Sequence, residues 1–319
     1  MLCGVIKMRY KPRRDNSKAR SIYKTKLIIL CTSIALLVVA GSAIMAKRFF
    51  TYMNTVQAKD SQILLNDKDA GDNSNKNDSP SEEANAGVSD VAYDTPKFVE
   101  NYLNQQMKGQ MPDGADGVKV VYLTFDDGPS ETVTPKILDE LKAENVHATF
   151  FVLGKAIDSS DENKELLKRA FSEGNAIGIH SYSHDYNYLY PNRTVNVDNF
   201  KSEVEKTSES LKSVLGNNFS TKAIRLPGGH MTWKGTDALD SYFEQEGYAY
   251  IDWNALSKDA EGAKKNAEQL VQQVIETTGT KQKVVLLMHD TYGKEETAKS
   301  LPAIIRYFKD NGYEFRVIK

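Results

Sequence analysis

Four short segments between residues 124 and 290 hold side chains that can bind a metal ion or transfer protons. They are TFDDGPS at 124–130, HSYSH at 180–184, IRLPGG at 224–229 and VVLLMHD at 284–290. His180 and His184, four residues apart, meet on one side of a helical turn or a tight loop, which suits one metal ion. A carboxylate would complete a set of nitrogen and oxygen ligands, for which zinc is the first choice and other divalent first-row metals also fit.

Each segment also has a purely structural interpretation. Asp126 and Asp127 could cap a following helix, because acidic side chains stabilise helix N-termini. Arg225 could be a surface charge, although beside a carboxylate cluster a bidentate partner for one acid is the stronger interpretation. His289 ends a run of five apolar residues and could be an ordinary core histidine.

From about residue 116 the sequence predicts an α/β domain, because apolar β-branched runs alternate with helical stretches. Strands are predicted at 118–125, 148–154, 176–181, 223–227, 248–253, 283–289 and 313–318. Helices are predicted near 131–145, 162–174, 197–215, 236–247, 263–278 and 297–311. Periodicity alone leaves open a closed barrel or an open doubly wound sheet. The polar residues cluster at the carboxyl ends of the strands, where β/α barrels build their active sites.

Composition excludes several classes of protein. The chain has 41 basic and 43 acidic residues and a net charge of −2, which argues against a nucleic-acid protein with a basic surface throughout. Its two cysteines, Cys3 and Cys31, exclude a disulfide scaffold and a cysteine-based zinc site from the rest of the chain.

Residues 27–46 are predicted to be a transmembrane signal-anchor. The run holds 20 residues without a charge, and as a helix it reaches about 30 Å, the thickness of a bilayer core. A cleaved signal peptide is the alternative, although its apolar core is usually shorter. Six basic residues precede the span within 15 positions and three follow it, so we expect residues 1–26 to be a basic cytoplasmic tail and the chain after residue 46 to be extracellular.

Residues 47–115 are predicted to be an extracellular and largely disordered linker. Within it, the stretch at 66–86 has only three alanines as apolar residues, too few to offset the entropy of ordering. The segment FVENYLNQQM at 98–107 could form a short helix leading into the folded domain.

Together and in this order, TFDDGP, HSYSH, RLP and LMH resemble the polysaccharide deacetylases of carbohydrate esterase family 4, the NodB-homology domain. The resemblance covers roughly residues 117–319 and implies a distorted (β/α) barrel of seven or eight strands, which we assign to 116–319. With the anchor and linker, the chain is similar to the membrane-anchored peptidoglycan N-acetylglucosamine deacetylases of Gram-positive bacteria.

The resemblance also implies a role for each matching residue. Asp126 would be the general base, oriented by Arg225, and His289 the general acid. One divalent ion, Zn²⁺ before Co²⁺, Ni²⁺ or Mn²⁺, would be held by Asp127, His180 and His184. The backbone N–H of Gly228 would stabilise the oxyanion, Leu287 would line the pocket for the acetyl methyl group, and Trp253 is placed in the same pocket.

Two departures from the family pattern affect this site. In WNALSKDA at 253–260 we align Asp259 with the family aspartate that pairs with the catalytic histidine, leaving Ala260 where the family has Trp, and Asp252 is the second candidate. Gly228 stands where the family commonly has Tyr, which predicts the loss of one wall of the groove. From its neighbours, Asp126 is also expected to have a low pKa.

The expected activity is the metal-dependent removal of N-acetyl groups from N-acetylglucosamine in peptidoglycan, leaving free amines and implying resistance to lysozyme. The alternatives are deacetylation of another glycan, such as poly-N-acetylglucosamine, chitin oligomers or xylan, and a non-catalytic glycan-binding or adhesion module on the same fold. We expect a monomer in the cell membrane that binds no nucleic acid.

Overall fold

The computed structural model describes residues 91–319. The predicted tail at 1–26, the span at 27–46 and the linker up to residue 90 lie outside the described residues. Between residues 91 and 319, none of the helices combines the length and the apolar character that crossing a bilayer requires.

Strands and helices alternate along the described chain. The strands are β1 (Tyr93–Asp94), β2 (Val120–Asp126), β3 (Thr149–Val152), β4 (Ala176–Ile179), β5 (Ala223–Ile224), β6 (Ala249–Tyr250), β7 (Ala255–Leu256), β8 (Lys283–His289), β9 (Glu314–Phe315) and β10 (Val317–Ile318). The helices are α1 (Pro96–Met107), α2 (Thr134–Ala143), α3 (Gly154–Asp158), α4 (Asp161–Ser172), α5 (Tyr186–Leu189), α6 (Val197–Leu215), α7 (Asp237–Glu246), α8 (Ala267–Thr278) and α9 (Glu295–Asp310).

Eight of these strands form one parallel sheet. Its order is β6-β5-β4-β3-β2-β8-β7, and β9 pairs with the beginning of β2. All seven residues of β2 are buried and so are six of the seven in β8, as expected of central strands covered on both faces. The sheet curls into a half-barrel of parallel strands, which agrees with the expected α/β class and strand number.

Helix ends follow local sequence signals. Helix α6 occupies the predicted range 197–215; the Asn196 side chain caps it by accepting from Asn199 N–H, and Gly216 ends it. Helix α8 begins with a capping box between Asn266 and Gln269. The helix predicted near residue 131 begins at Thr134, so Asp126 and Asp127 are too far upstream to cap it.

The folded unit extends upstream of the domain start predicted at residue 116, because residues 93–107 pack onto the sheet. Strand β1 pairs with β10, and Asp94 accepts a hydrogen bond of 2.5 Å from the Tyr122 hydroxyl. Helix α1 inserts Val99 and Leu103 into the main hydrophobic cluster. The helix suggested at 98–107 is present as α1, and its apolar residues find their partners only in the assembled sheet.

Two strand predictions also need correction. The single strand expected at 313–318 is divided: β9 pairs with β2 and β10 pairs with β1, and Arg316 lies between them with its N–H donating to Val121 O. Strand β7 was not predicted, since Ala255 and Leu256 stand in a polar segment without alternation.

The docking of α1 gives a stability prediction. Leu103 is 3% exposed, whereas Met107 on the same helix is 48% exposed. In a fragment of residues 91–319, Leu103→Ala should lower the free energy of unfolding by about 2–5 kcal/mol, because it removes buried methyl groups and leaves a cavity. The control Met107→Ala should change it by less than about 0.5 kcal/mol. Urea unfolding checks both; equal effects of the two variants would mean that α1 is not part of the core.

Candidate active site

Strand register places the proton-transfer groups side by side. Asp126 ends β2 and lies opposite His289, which ends β8, while Thr124 lies opposite Leu287. Because side chains alternate along a strand, Thr124 and Asp126 share a face of the sheet with Leu287 and His289. The carboxyl edge of the sheet therefore brings the expected base, acid and pocket leucine together.

Asp127, His180 and His184 form a cluster able to hold a metal ion. Their ligand atoms lie within 4.8 Å of one another, and Asp127 Oδ1 is 3.4 Å from His180 Nε2 and 3.5 Å from His184 Nε2. Tetrahedral ligands about 2.0–2.2 Å from zinc are separated by about 3.3–3.6 Å, so these spacings fit. Asp127 Oδ1 is buried and has no hydrogen-bond partner within residues 91–319, so this oxygen is free to coordinate a cation.

His180 is prepared to act as a neutral ligand. Its Nδ1 lies 2.8 Å from Arg225 O, so an Nδ1–H donates to this carbonyl and the Nε2 lone pair is left for the metal. Burial lowers the pKa of His180 to about 3, so the ring carries no proton at Nε2 near neutral pH.

The segment 180–184 is a loop, which resolves the choice left open by its sequence. Ser181 and His184 have φ values of 72° and 57°. Glu203 on α6 holds this loop by accepting hydrogen bonds from Tyr182 N (2.8 Å) and Ser183 N (2.6 Å). Glu203 was not predicted from the sequence. A signal for it was present, since Glu203 is a charged residue in the buried stripe of an amphipathic helix.

The Arg225 guanidinium orients Asp126. It is completely buried, and its Nη1 donates to Asp126 Oδ1 and to Thr124 Oγ1, each at 2.7 Å. Its Nε donates to Ile251 O at 2.7 Å, and the Phe151 ring lies 4.2 Å from the guanidinium carbon. These contacts hold one oxygen of the carboxylate and leave the second directed toward the metal cluster, 3.7 Å from His180 Nε2.

The prediction of a low pKa for Asp126 is wrong. Burial raises the pKa of this carboxyl above its ordinary value, and the charge of Arg225 opposes the rise without cancelling it. The prediction took account of the charged neighbours of Asp126 but not of the effect of burial on its pKa. A raised pKa suits a general base, since a more basic carboxylate takes a proton more readily.

His289 pairs with Asp259 and not with Asp252. Nδ1 of His289 lies 2.8 Å from Asp259 Oδ1, and Asp259 Oδ2 accepts from His289 N (2.9 Å) and from the Thr297 hydroxyl (2.8 Å). Asp252 instead accepts from His230 N at 3.0 Å. Burial by itself would lower the pKa of His289, but the hydrogen bond and charge of Asp259 outweigh it and raise the pKa to about 9.

The remaining pocket residues lie around this centre. Trp253 packs against the hydrophobic cluster and beside Arg225, with 5.8 Å between its ring centre and the guanidinium carbon. Within residues 91–319 no acceptor takes the Gly228 N–H, which leaves this donor for a ligand. The space beside Gly228 is occupied by Trp233 and Tyr186, and the predicted loss of a groove wall stays a prediction.

Asp290 is a further buried acid that the sequence analysis gave no role. The Thr134 hydroxyl donates to its Oδ2 at 2.6 Å, and burial raises its pKa to about 7. A Cβ at Gly128 would lie 2.1 Å from the same oxygen. Gly128 is therefore required for the turn after Asp127 to pack against Asp290.

A parallel half-barrel that places a buried carboxylate, a protonated histidine and a cluster able to hold a metal ion at the carboxyl ends of its strands is the arrangement of a hydrolase. The family model for polysaccharide deacetylases matches residues 113–251. A putative polysaccharide deacetylase of Bacillus subtilis, YheN, is 32% identical over 71% of this chain and 74% of its own length. The chain belongs to the polysaccharide deacetylase family and is a deacetylase.

Two further relatives agree with this family. A peptidoglycan-N-acetylglucosamine deacetylase of Bacillus cereus is 33% identical over 62% of this chain and 68% of its own length. The solved structure of a Streptococcus mutans carbohydrate esterase family 4 enzyme is 40% identical, covers 72% of this chain and 92% of its own, and has a TM-score of 0.64.

The His289–Asp259 pair gives a prediction on pH dependence. A protonated His289 is needed to donate, so activity should fall as the pH rises through its pKa. Asp259→Asn removes the charge that raises this pKa and should move the alkaline limb of the profile to lower pH. The control Asp252→Asn should leave the limb in place, since Asp252 does not contact His289. A profile of kcat against pH checks both, and the opposite pattern would disprove the assigned pairing.

Proposed function

We propose that the protein removes the N-acetyl group from N-acetylglucosamine residues of cell-wall peptidoglycan, releasing acetate and leaving free amines. The observation that carries the proposal is the placement of Asp126 and His289 at paired strand ends next to the Asp127, His180 and His184 cluster. Relatives from Bacillus cereus and Listeria monocytogenes named as peptidoglycan-N-acetylglucosamine deacetylases support the substrate, although this chain spans only 44% of the Listeria protein.

Asp126 and His289 divide the proton transfers. Asp126, held by Arg225, takes a proton from the attacking water. His289 then gives its proton to the sugar nitrogen, which is a poor leaving group until it is protonated. The Gly228 N–H donates to the oxygen that gains negative charge. A base and an acid are both required, because one proton must be removed while another is delivered.

The metal would be held by Asp127, His180 and His184. When bound, a divalent ion supplies Lewis-acid chemistry, which acidifies water and polarises a carbonyl oxygen. Two imidazoles and one carboxylate favour Zn²⁺, and the same set accepts Co²⁺, Ni²⁺ or Mn²⁺.

We also propose that residues 27–46 anchor the protein in the cell membrane, with residues 1–26 in the cytoplasm and the catalytic domain outside. The support is the uncharged run of 20 residues and the excess of basic residues before it. An extracellular position would bring the site to the wall glycan. The free amines formed there would make the wall more cationic and hinder lysozyme-like hydrolases.

The substrate proposal is tested by mass spectrometry of purified wall fragments incubated with Zn²⁺ and the protein. Each disaccharide should lose one acetyl group, and fragmentation should assign the loss to N-acetylglucosamine.

His184→Ala should abolish both zinc retention and the loss of acetyl groups, because it removes one of three ligands. A metal-replete, active His184→Ala protein would refute the ligand assignment. Unchanged wall fragments together with acetate release from chitin oligomers or acetylated xylan would redirect the substrate.

The topology is tested on intact cells from which the wall has been stripped. Added protease should remove the catalytic domain and leave the N-terminal tail intact, because only the chain beyond residue 46 is proposed to be outside. An N-terminal tag reports the tail, and a cytoplasmic enzyme serves as the control for membrane integrity. Complete protection of the domain in sealed cells would overturn the proposed orientation.

A further inference from the structure

Because Gly228 has no side chain, space is left beside it, and the side chains of Trp233 and Tyr186 occupy this space. A Cβ on Gly228 would lie 3.1 Å from Trp233 Cζ2 and 3.3 Å from the Tyr186 hydroxyl oxygen. The φ of Gly228 is +79°, a backbone conformation that residues other than glycine rarely adopt. An aromatic residue at 228, common in the family, would therefore strain the backbone here and would require the Trp233 and Tyr186 side chains to move.

Tyr186 stands next to the metal cluster and remains open to solvent. Its ring centre is 5.1 Å from that of His184, and 44% of the residue is exposed. An exposed aromatic ring in contact with a metal ligand is placed to meet whatever the metal centre binds.

Trp233 and Tyr190 support the Tyr186 ring from behind. Trp233 stacks on the buried Tyr190 with ring centres 3.9 Å apart and planes 9° apart, and its centre is 5.2 Å from that of Tyr186. The indole N–H donates to Pro227 O at 2.8 Å. The Asp185 side chain fixes the turn beneath Tyr186 by accepting from Asn187 N at 2.9 Å. The ring therefore belongs to a packed cluster and is pre-organised.

We propose that Tyr186, backed by Trp233 and Tyr190, is the aromatic wall of the substrate groove and stacks against a pyranose ring of the glycan. The inference rests on the proposed function and adds the residue that selects the sugar. A β-linked glucosamine carries its substituents equatorially, so each face presents axial C–H bonds and is apolar. An aromatic face suits such a surface, and rigid aromatic residues lose little entropy on binding.

The test measures binding of an N-acetylglucosamine tetramer to the full-length, zinc-loaded protein in mild detergent by titration calorimetry. Tyr186→Leu should weaken binding about tenfold, the size of one aromatic contact, and Tyr186→Phe should keep most of the affinity because the ring remains. The control Tyr188→Leu, two residues away on the same helix and 39% exposed, should bind as the unaltered protein does. Zinc content is measured for every variant.

Four results would overturn the inference. The first is unchanged affinity in Tyr186→Leu, and the second is an equal loss of affinity in Tyr186→Phe or in Tyr188→Leu. The third is a loss of zinc together with affinity, which would mean that Tyr186 supports His184. The fourth is acetate release from the glycan without measurable dependence on Tyr186. Acetate release is followed separately. Tetramer binding that depends on Tyr186, together with wall fragments that keep every acetyl group, would refute the proposed function and leave the aromatic wall standing.

Discussion

The buried ion pair between Arg225 and Asp126 is the interaction on which the rest of the site depends. Removing a guanidinium and a carboxylate from water is costly, and only a complete set of partners offsets it. Here Arg225 reaches Asp126, Thr124 and Ile251 O, and so ties β2 to the chain that follows β6. Loss of either ion would leave an uncompensated buried charge at a cost of about 3–5 kcal/mol. The same pair that stabilises the sheet thus fixes the position of the base.

Two histidines of the site are driven to opposite protonation states by their partners. His180 donates to a backbone carbonyl and loses its charge through burial, as a metal ligand requires. His289 faces the carboxylate of Asp259 and keeps its proton, as an acid requires. Both rings are largely removed from water, but the Nδ1 of His289 is hydrogen-bonded to a carboxylate, whereas that of His180 is hydrogen-bonded to a carbonyl and the nearby Asp127 does not offset its burial. Environment, and not residue type, assigns each role.

The helices outside the sheet supply the second layer of positioning. Glu203 on α6 holds the loop between the two metal-binding histidines, and Thr297 on α9 holds Asp259. The proposed substrate contacts, in contrast, come from segments beyond the strand ends, where Tyr186 and Trp233 meet. The groups proposed for the chemistry and those proposed for binding the glycan thus lie on different parts of the fold.

The sequence by itself determined the strand and helix alternation, the order of the motifs and most of the site, because short chemical signatures and apolar periodicity are local properties. It could not decide that residues 93–107 belong to the fold, that the strand at 313–318 divides, or that burial raises the pKa of Asp126. The final choice of Asp259, the first candidate, over Asp252 as the partner of His289 and the filling of the space at Gly228 by Tyr186 and Trp233 were also left to the tertiary structure. Each of these depends on contacts between distant segments and on the exclusion of water, which arise only when the sheet is assembled.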